Sequence, residues 1–328
     1  MINFFLCQNH AYAVASLLRE WDKELRSEFR LLGYESTAEM LYNSRSLTVH
    51  SGTIIFADVD RLLFPMRDVA QIIADCAKKN GTKIINEPRK VLRRFELLRA
   101  LYEEGINEFN VYKYGEKIQK FPVFVRMAVE HNGSLSNLLY SQTMVDRQFE
   151  ELRALGIRLE DLLIVEYKHT ADRAGIFRKY SAFMIGDTLV PRHLLFSREW
   201  VTKVADNLPD PQLKREEIGY VDSMPHPQEA LLRRVFEIAN ISYGRVDYGI
   251  SDGKLHIWEI NTNPVIMSAK KDVDLQRMPL QIRIAERIGQ AFRKLSSDSS
   301  DLQLLAQGHE FFNKVPNSMP VALPALPR

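Results

Sequence analysis

Cysteine is scarce in this sequence: Cys7 and Cys76 are the only two among 328 residues. Two cysteines cannot build the disulfide framework of a small secreted domain. Neither lies in a Cys-x-x-Cys pair, and by sequence neither shows a Cys/His spacing that predicts a metal site. The expected location is therefore a reducing one, the cytoplasm.

Long apolar runs are also missing. No stretch approaches 18 uncharged apolar residues, which argues against a membrane-spanning helix, and the apolar run at the N-terminus lacks the length and basic residues of a signal peptide. An excess of charge of one sign is missing too, because 44 Lys and Arg face 42 Asp and Glu. We therefore expect neither nucleic acid nor a membrane as a partner.

Hydrophobic residues make up 45% of the chain and charged residues 26%, the composition of a folded globular protein of about two domains. Short apolar runs alternate with helical periodicity in the first part, which predicts a small parallel α/β unit. The predicted strands are 4–7, 53–57 and 83–85, and the predicted helices are 14–32 and 67–79.

Strands and helices also alternate in the rest of the chain. The dipeptide Gly186-Asp187 predicts a tight hairpin between strands 177–185 and 188–196, whereas 206–227 is a polar, proline-rich stretch. The remaining predicted strands are 111–114, 122–129 and 162–167, and the remaining predicted helices are 91–104, 134–156 in part, 228–239 and 280–295. Four of the 14 prolines fall in the last 13 residues, which predicts a flexible tail over 296–328 with room for one short helix.

A second hairpin, 243–250 with 254–261, carries the most informative side chains. Along its second strand Glu259, Asn261 and Asn263 share one face, at steps of about 7 Å per two residues. With Asp247, Glu259 and Asn261 form a set of oxygen donors that suits Mg²⁺, with Mn²⁺ as an alternative. A solvated face of an amphipathic hairpin is the other interpretation.

The strand register of this hairpin decides whether the metal site can exist. A two-residue turn would point Asp247 away from Glu259. A three-residue loop, 251–253, would pair Asp247 with Ile257 and place the two carboxylates on one face. We predict that loop, with positive φ at Gly253.

The motif D-Y-G…W-E-I-N-T-N-P resembles the metal-binding end of the ATP-grasp superfamily, which contains D-alanine:D-alanine ligases, glutathione synthetases, biotin carboxylases and ribosomal-protein glutamate ligases. Three upstream segments resemble further family elements in the expected order, so the resemblance covers about residues 86–293. They are N-E-P with Arg94 and the later Gly105-Ile106, the strand F-P-V-F-V-R that ends at Arg126, and the adenine-contacting strand L-I-V-E-Y-K with Glu166, Tyr167 and Lys168.

The resemblance implies an ATP-grasp fold (α+β lobes) over 89–295, preceded by the small parallel α/β domain at 1–88. It implies that Arg94 and Arg126 contact phosphates, although the family has lysine at both positions, and an arginine differs in reach from a lysine point charge. The loop 131–135 has one glycine where the family often has several. Each of two residues also has a purely structural interpretation. Arg94 could be a solvated charge on a helix, and Glu166 could be a surface residue at the end of a strand.

Several other residues are candidates for the same site. Arg178 and Lys179 are expected near phosphate or substrate, with an exposed strand edge as the alternative, and Arg192 is a candidate for a substrate carboxylate. His193 beside it is not expected to bind a metal, because no second histidine has the required spacing. Arg245 and Asn263 are expected to face the acyl substrate, and with Arg126 they form the predicted catalytic set.

The resemblance implies an ATP- and Mg²⁺-dependent ligase that joins a carboxylate to an amine through an acyl phosphate. Two alternatives are a nucleotide-binding protein without turnover and an ATP-grasp phosphotransferase. The sequence does not identify the carboxylate or the amine, and it leaves a homo-oligomer open.

Overall fold

A four-stranded parallel sheet organises the N-terminal part of the computed structural model, which describes residues 1–63, 65–130, 133–202, 210–296 and 300–305. Its strand order is β2-β1-β4-β5, which confirms the predicted small parallel α/β unit. The sheet packs against helix α3 (Met66–Lys79), which ends at Asn80 before Gly81, whose φ is 74°. The strands are β1 (Ile2–Leu6), β2 (Phe29–Gly33), β4 (Thr53–Phe56) and β5 (Ile84–Ile85).

The helix predicted over 14–32 is wrong. Helix α1 (Tyr12–Ser16) continues as a π-helical turn, Leu17–Trp21, and a 3-10 turn, Glu24–Glu28, leads into β2. The end of this segment becomes a strand because it pairs with the fully buried β1, and burial against a neighbouring strand outweighs local helical periodicity. Helix α2 (Tyr34–Ser44) and strand β3 (Ser46–His50) follow and were not predicted.

A three-stranded antiparallel sheet, here the small sheet, comes next along the chain. Its order is β6-β8-β7. Helices α4 (Arg94–Glu103) and α5 (Gln142–Ala154) belong to the same region of the sequence. Its own apolar core includes Val125, Phe149 and Ile164. Its strands are β6 (Val111–Tyr112), β7 (Val123–Met127) and β8 (Leu162–Glu166).

A four-stranded antiparallel sheet, here the large sheet, has the order β10-β9-β11-β12. The predicted two-residue turn at Gly186-Asp187 is confirmed, since Ile185 pairs with Thr188. The proline-rich stretch contains helix α6 (Pro211–Asp222), which begins where the Asp210 side chain accepts a hydrogen bond from the Gln212 amide. The remaining elements are β9 (Phe177–Ile185), β10 (Thr188–Ser197), α7 (Glu229–Ala239), β11 (Tyr243–Ser251), β12 (Lys254–Asn261) and α8 (Met278–Leu295).

The parallel sheet and the large sheet share their apolar cores. Phe4 of β1 packs edge-on against Tyr243 of β11, with ring centroids 5.3 Å apart, and both residues are fully buried. Asn86 joins the same two sheets by four hydrogen bonds to backbone groups, those of Phe56, Ser242 and Tyr243. The small sheet therefore has an apolar core of its own, whereas the other two sheets share theirs. The domain boundaries at 88 and 295 stay a prediction.

The first part of the predicted tail forms a strand, β13 (Asp301–Leu305), which pairs antiparallel with β3. Leu304 is 1% exposed, so β13 buries an apolar side chain against the N-terminal unit. The proline-rich end of the tail and its predicted short helix lie outside the described residues, as do His131 and Asn132 of the loop 131–135.

Candidate functional site

The hairpin of β11 and β12 turns through two residues. Asp252 and Gly253 both have positive φ, 52° and 74°, and Ser251 pairs with Lys254. These are the features of a type I′ turn, whose twist matches that of the two strands. Positive φ at Gly253 is confirmed, whereas the predicted three-residue loop is wrong.

A β-bulge at Trp258 decides where the two acidic side chains point. On the turn side of the bulge Tyr248 pairs with Ile257, and on the other side Asp247 pairs with Glu259. Trp258 is the extra residue of β12. With a two-residue turn and no bulge, Asp247 would point away from Glu259, whereas the extra residue shifts the pairing by one and brings both side chains to the same face. The two carboxylates therefore share one face, as expected, although the predicted pairing of Asp247 with Ile257 is wrong.

The Trp258 indole needs the glycine that lies beneath it. A Cβ atom on Gly249 would approach Trp258 Cζ2 to 2.9 Å. The indole also stacks on Phe109, with ring centroids 5.3 Å apart. The bulged tryptophan thereby forms part of an apolar wall.

Two cations hold the buried carboxylate of Asp247. Lys179 Nζ lies 2.8 Å from Oδ2, Arg245 Nε donates to Oδ1 at 2.9 Å, and the Ser181 hydroxyl donates to Oδ1 at 2.8 Å. Burial by itself would raise the pKa of Asp247, but the positive charges of Arg245 and Lys179 lower it well below its usual range. Asp247 is therefore ionised, and the predicted contact of Lys179 with phosphate or substrate stays a prediction.

His193 is a hydrogen-bond donor behind Asp247. Its Nε2 lies 2.7 Å from Ser181 Oγ, and the single hydroxyl hydrogen of Ser181 is already directed at Asp247. His193 Nε2 must therefore carry the hydrogen of that contact. Burial, followed by the charges of Arg245 and Arg192, holds the pKa of His193 well below its usual range, so His193 is neutral.

Two arginines hold Glu259. Arg94 and Arg126 each donate to Oε2 at 2.8 Å. Arg94 also donates from one terminal nitrogen to three carbonyl oxygens, those of Met127, Ala128 and Glu130, at 2.7 to 2.9 Å. Arg94 is thus a positioning residue that ties Glu259 to the end of β7, and its predicted contact with phosphate is not what the structure shows.

A cleft lies between the small sheet and the large sheet. One part of its lining is apolar and the other part is charged. The apolar lining includes Leu98, Phe109, Phe124, Val165 and Trp258, and the charged lining includes Arg126, Lys168, Lys179, Asp247 and Glu259. Such a cleft suits a ligand with a flat apolar end and an anionic end.

The predicted adenine-contacting strand lines the cleft, but its side chains are engaged elsewhere. Glu166 is 3% exposed, and its carboxylate accepts hydrogen bonds from the Asn110 amide at 2.9 Å and the Tyr112 hydroxyl at 2.6 Å. The Tyr167 amide donates to the carbonyl oxygen of Pro122, and Lys168 forms an ion pair with Glu108 at 2.7 Å. The carboxylate of Glu166 is therefore part of the small sheet's structure.

Arg178 and Arg192 do not reach the two carboxylates. Arg178 lines the cleft, but its guanidinium pairs with Asp172 at 2.6 Å and with Glu216 at 2.7 Å. Arg192 is buried and donates to the Ile266 carbonyl and to Gln281. Burial, with Arg245 and Arg277 nearby, lowers the pKa of Arg192 to about 9.

The two asparagines of the N-T-N-P segment have contacts that the sequence did not predict. Asn261 Oδ1 accepts a hydrogen bond from the Asn263 amide at 2.8 Å. Asn263 Nδ2 donates to Asp58 Oδ2, also at 2.8 Å, and Thr262 bonds to Asp60. This segment therefore docks on the N-terminal unit through two buried aspartates.

The residues around Asp58 correct the first expectation about cysteine. Cys7, His10 and Asp58 place a sulfur, a ring nitrogen and a carboxylate oxygen within 4.8 Å of one another. Burial, then the charges of Asp58 and Glu35, raise the pKa of the Cys7 thiol far above its ordinary value, which disfavours a nucleophilic role. The spacing Cys-x-x-His was a usable signal, but Asp58 is 48 residues from His10.

Magnesium fits the site only together with an anion. Asp247 and Glu259 supply oxygen donors on one face, but each carboxylate already has two cationic partners. A polyphosphate could take over those cations and leave carboxylate oxygens for the metal. Asn261 is the weaker ligand candidate, because its Oδ1 already accepts a hydrogen bond.

No protein-family model and no curated protein matches this chain. Solved structures do match it along most of its length. A D-alanine–D-alanine ligase from Bacillus anthracis, complexed with ATP, is 10% identical over 88% of this chain and 98% of its own, with a TM-score of 0.45. A RimK domain ATP-grasp protein from Sphaerobacter thermophilus is 15% identical over 89% and 99%, with a TM-score of 0.46.

The ATP-grasp ligase PsnB, complexed with a minimal precursor, is 10% identical over 90% of this chain and 98% of its own, with a TM-score of 0.49. Because the sequence identities are 10–15% and the TM-scores are below 0.5, the ligands and reactions of these proteins are stated of those proteins and not of this chain. In the part of the chain that the structure describes, no helix combines the length and hydropathy needed to cross a membrane.

Proposed function

We propose that this chain is an ATP-dependent ligase that joins a carboxylate to an amine through an acyl phosphate. The observation that carries the proposal is the direct pairing of Asp247 with Glu259 at the charged end of the cleft. Both carboxylates come from neighbouring strands of the large sheet, and Arg126 reaches Glu259 from the small sheet.

The charges at this end of the cleft favour a polyphosphate. Four cationic side chains contact two carboxylates, which leaves a formal surplus of two positive charges among these six groups. They are Arg94, Arg126, Lys179, Arg245, Asp247 and Glu259. In a partly buried cleft, where charges interact more strongly than in water, that surplus attracts an anion of several charges.

The apolar wall supports a purine base at the other end. Phe109, Phe124 and Trp258 line it together with Leu98 and Val165. Flat aromatic and aliphatic surfaces contact a base without demanding a particular hydrogen-bond pattern. A nucleotide would thus lie with its base on this wall and its phosphates at the paired carboxylates.

Each charged residue has a distinct role in this proposal. Asp247 and Glu259 would hold Mg²⁺, which supplies charge neutralisation at the transferred phosphoryl group. Arg126 and Lys179 leave the carboxylates and pair with phosphate oxygens. Arg245 stays beside Asp247, where it can orient an acyl substrate. Asn263 follows the end of β12 and is held by Asp58.

The reaction needs no protein nucleophile. A carboxylate oxygen of the substrate attacks the γ-phosphorus, the bond to the β-phosphate oxygen breaks, and ADP leaves. An amine then attacks the acyl carbon, inorganic phosphate leaves, and the nitrogen loses a proton. The chain positions these groups and offsets charge that develops on the transferred group.

Hydroxylamine provides the direct test, because it can stand in for the amine and trap an acyl phosphate as a hydroxamate. The chain is incubated with ATP, Mg²⁺ and pools of carboxylic acids, and ADP and hydroxamate are measured. Equal amounts of both products, dependent on carboxylate, are expected. ADP without hydroxamate would favour a phosphotransferase, and nucleotide binding without ADP would favour a non-catalytic protein; either result overturns the ligase.

A further inference from the structure

Three metal-ligating side chains meet at one end of the parallel sheet. Cys7 follows β1 directly, Asp58 comes two residues after β4, and His10 ends the 3-10 turn Gln8–His10. Since β1 and β4 are parallel neighbours, their carboxyl ends lie at the same edge. Sγ of Cys7, a ring nitrogen of His10 and a carboxylate oxygen of Asp58 all lie within 4.8 Å of one another.

The topology of the sheet places these residues where ligands bind in open α/β sheets. The strand order is β2-β1-β4-β5, so the chain leaves β1 toward one side for β2 and returns on the other side for β4. A crevice forms at the carboxyl ends of two strands whose connections diverge in this way. Cys7 and Asp58 flank that crevice.

The donor set favours a transition metal over magnesium. Sulfur, imidazole nitrogen and carboxylate oxygen are the ligand types of Zn²⁺, whereas Mg²⁺ prefers oxygen alone. Zinc–ligand bonds of about 2.0–2.3 Å place tetrahedral donors roughly 3.3–3.8 Å apart. Three donors within 4.8 Å of one another therefore need only small movements.

Hydrogen bonds already orient Asp58. The residue is fully buried, its Oδ1 lies 2.8 Å from His10 Nδ1, and its Oδ2 accepts from the Cys7 amide and from Asn263. Such outer contacts hold a ligand in place and tune its basicity. The backbone of Asp58 has φ of 56°, a costly conformation that is often found at binding sites.

The surrounding charge is mostly negative. Asp60 is buried and follows Asp58 by two residues, and the carboxylate of Glu35 accepts a hydrogen bond from the Gln8 amide at 3.1 Å. Among the charges that act on the Cys7 thiol are three carboxylates, those of Asp58, Glu35 and Asp60, and the Arg61 guanidinium. This negative surplus favours an additional cation at this edge.

We propose that Cys7, His10 and Asp58 bind one Zn²⁺-class transition-metal ion. On binding, the hydrogen that His10 Nδ1 shares with Asp58 moves to Nε2 of the same ring, which frees Nδ1 for the metal, and the thiol proton of Cys7 is released to solvent. Three protein ligands leave a fourth position open, as in zinc sites that bind water or substrate. Asn263 is next to that position: its side chain bonds to Asp58, and its buried Oδ1 has no hydrogen-bond partner among the described residues.

Cobalt titration tests this site without nucleotide, so its outcome is independent of the proposed ligase. Full-length protein is stripped with a chelator and titrated with Co²⁺, which reports a thiolate ligand by a near-ultraviolet charge-transfer absorption. We expect one Co²⁺ per chain, displacement by Zn²⁺, and no displacement by excess Mg²⁺. Absence of the charge-transfer absorption in the wild-type protein would overturn the proposal.

Three variants locate the site. Cys7→Ser should abolish the charge-transfer absorption, and His10→Asn should weaken Co²⁺ binding by more than about a hundredfold, since loss of even an outer partner costs about 10- to 100-fold. Cys76→Ser is the matched control, because Cys76 lies on α3 and contacts Leu305 of β13. His10 is 23% exposed, so its variant should fold. Loss of absorption in Cys76→Ser, or unchanged binding in both other variants, would contradict the assignment.

Discussion

Arg126 of the small sheet donates a hydrogen bond to Glu259 of the large sheet at 2.8 Å. This contact crosses the cleft at its charged end, and both side chains are largely buried, at 10% and 13% exposure. Arg126 thus competes with a metal ion for this carboxylate, as Arg94 does. A polyanion that attracts Arg126 would remove one of the two competitors, so we expect the nucleotide and the metal to bind cooperatively.

The first prediction concerns this cooperativity. ATP with Mg²⁺ should raise the melting temperature by more than the sum of the shifts with either alone, because Mg²⁺ by itself must displace Arg126 and Lys179. A hundredfold excess over Kd adds about 2.7 kcal/mol to the free energy of unfolding. Thermal melts at fixed ionic strength measure these shifts in melting temperature. Additive shifts would contradict the expected cooperativity.

The second prediction concerns Glu259→Gln. The amide keeps the shape and removes the charge, so ADP formation should fall at least about a thousandfold, because charge neutralisation at the transferred phosphoryl group supplies several kcal/mol. The variant should also lose some stability, since Arg94 and Arg126 would lose a charged partner. Glu151→Gln, at an exposed position of α5, is the control, and equal turnover in the two variants would exclude Glu259 as a metal ligand.

The third prediction compares two glycines of the hairpin. Gly253→Ala should cost about 1 kcal/mol, because alanine is strained at a φ of 74° but meets no atom there. Gly249→Ala should cost about 1–3 kcal/mol, because its Cβ meets the Trp258 indole. Urea denaturation measures both, and only Gly249→Ala should also weaken ATP binding. Equal ATP affinity in the two variants would argue against Trp258 as a wall of the nucleotide site.

The fourth prediction concerns acid stability. Burial, followed by the charge of Lys168, lowers the pKa of His256 to about 4. Between the ordinary histidine value near 6.5 and pH 4 the unfolded chain binds the proton and the folded chain does not, so the stability present above pH 6.5 is lost as pH falls toward 4. His256→Gln should flatten this part of the curve of urea midpoint against pH; an unchanged slope would assign it to other groups.

The fifth prediction concerns Asn86. Asn86→Ala removes four buried hydrogen bonds, three of them to Ser242 and Tyr243 at the start of β11, and should cost about 3 kcal/mol or more. Asn240→Ala is the control, because Asn240 also has positive φ, 54° against 61° for Asn86, but is exposed. The difference between the two urea-derived free energies isolates the buried hydrogen bonds, and a difference near zero would refute their role.

The sequence by itself determined the local features of this protein. The turn residues Gly186-Asp187 and Asp252-Gly253 predicted both hairpins, and the predicted positive φ at Gly253 is confirmed. Strand alternation along 254–261 also put Glu259 and Asn261 on one face, and Asp247 does share that face, although through a bulge and not through the predicted loop. These features depend on neighbouring residues and on strand alternation, which the sequence displays directly.

Tertiary structure alone decided which partner each side chain has. The bulge at Trp258 sets the register, and it needs Gly249 and Phe109 to receive the indole. Arg94 and Glu166 became internal contacts because their partners come from distant strands.

The segment before β2 shows the same limit for secondary structure. It has helical periodicity, but it ends as a strand because pairing with the buried β1 is available only in the folded chain. Likewise Cys7 and Asp58 are 51 residues apart in the sequence. They meet because parallel strands β1 and β4 end at one edge of a sheet, and local sequence does not encode that neighbourhood.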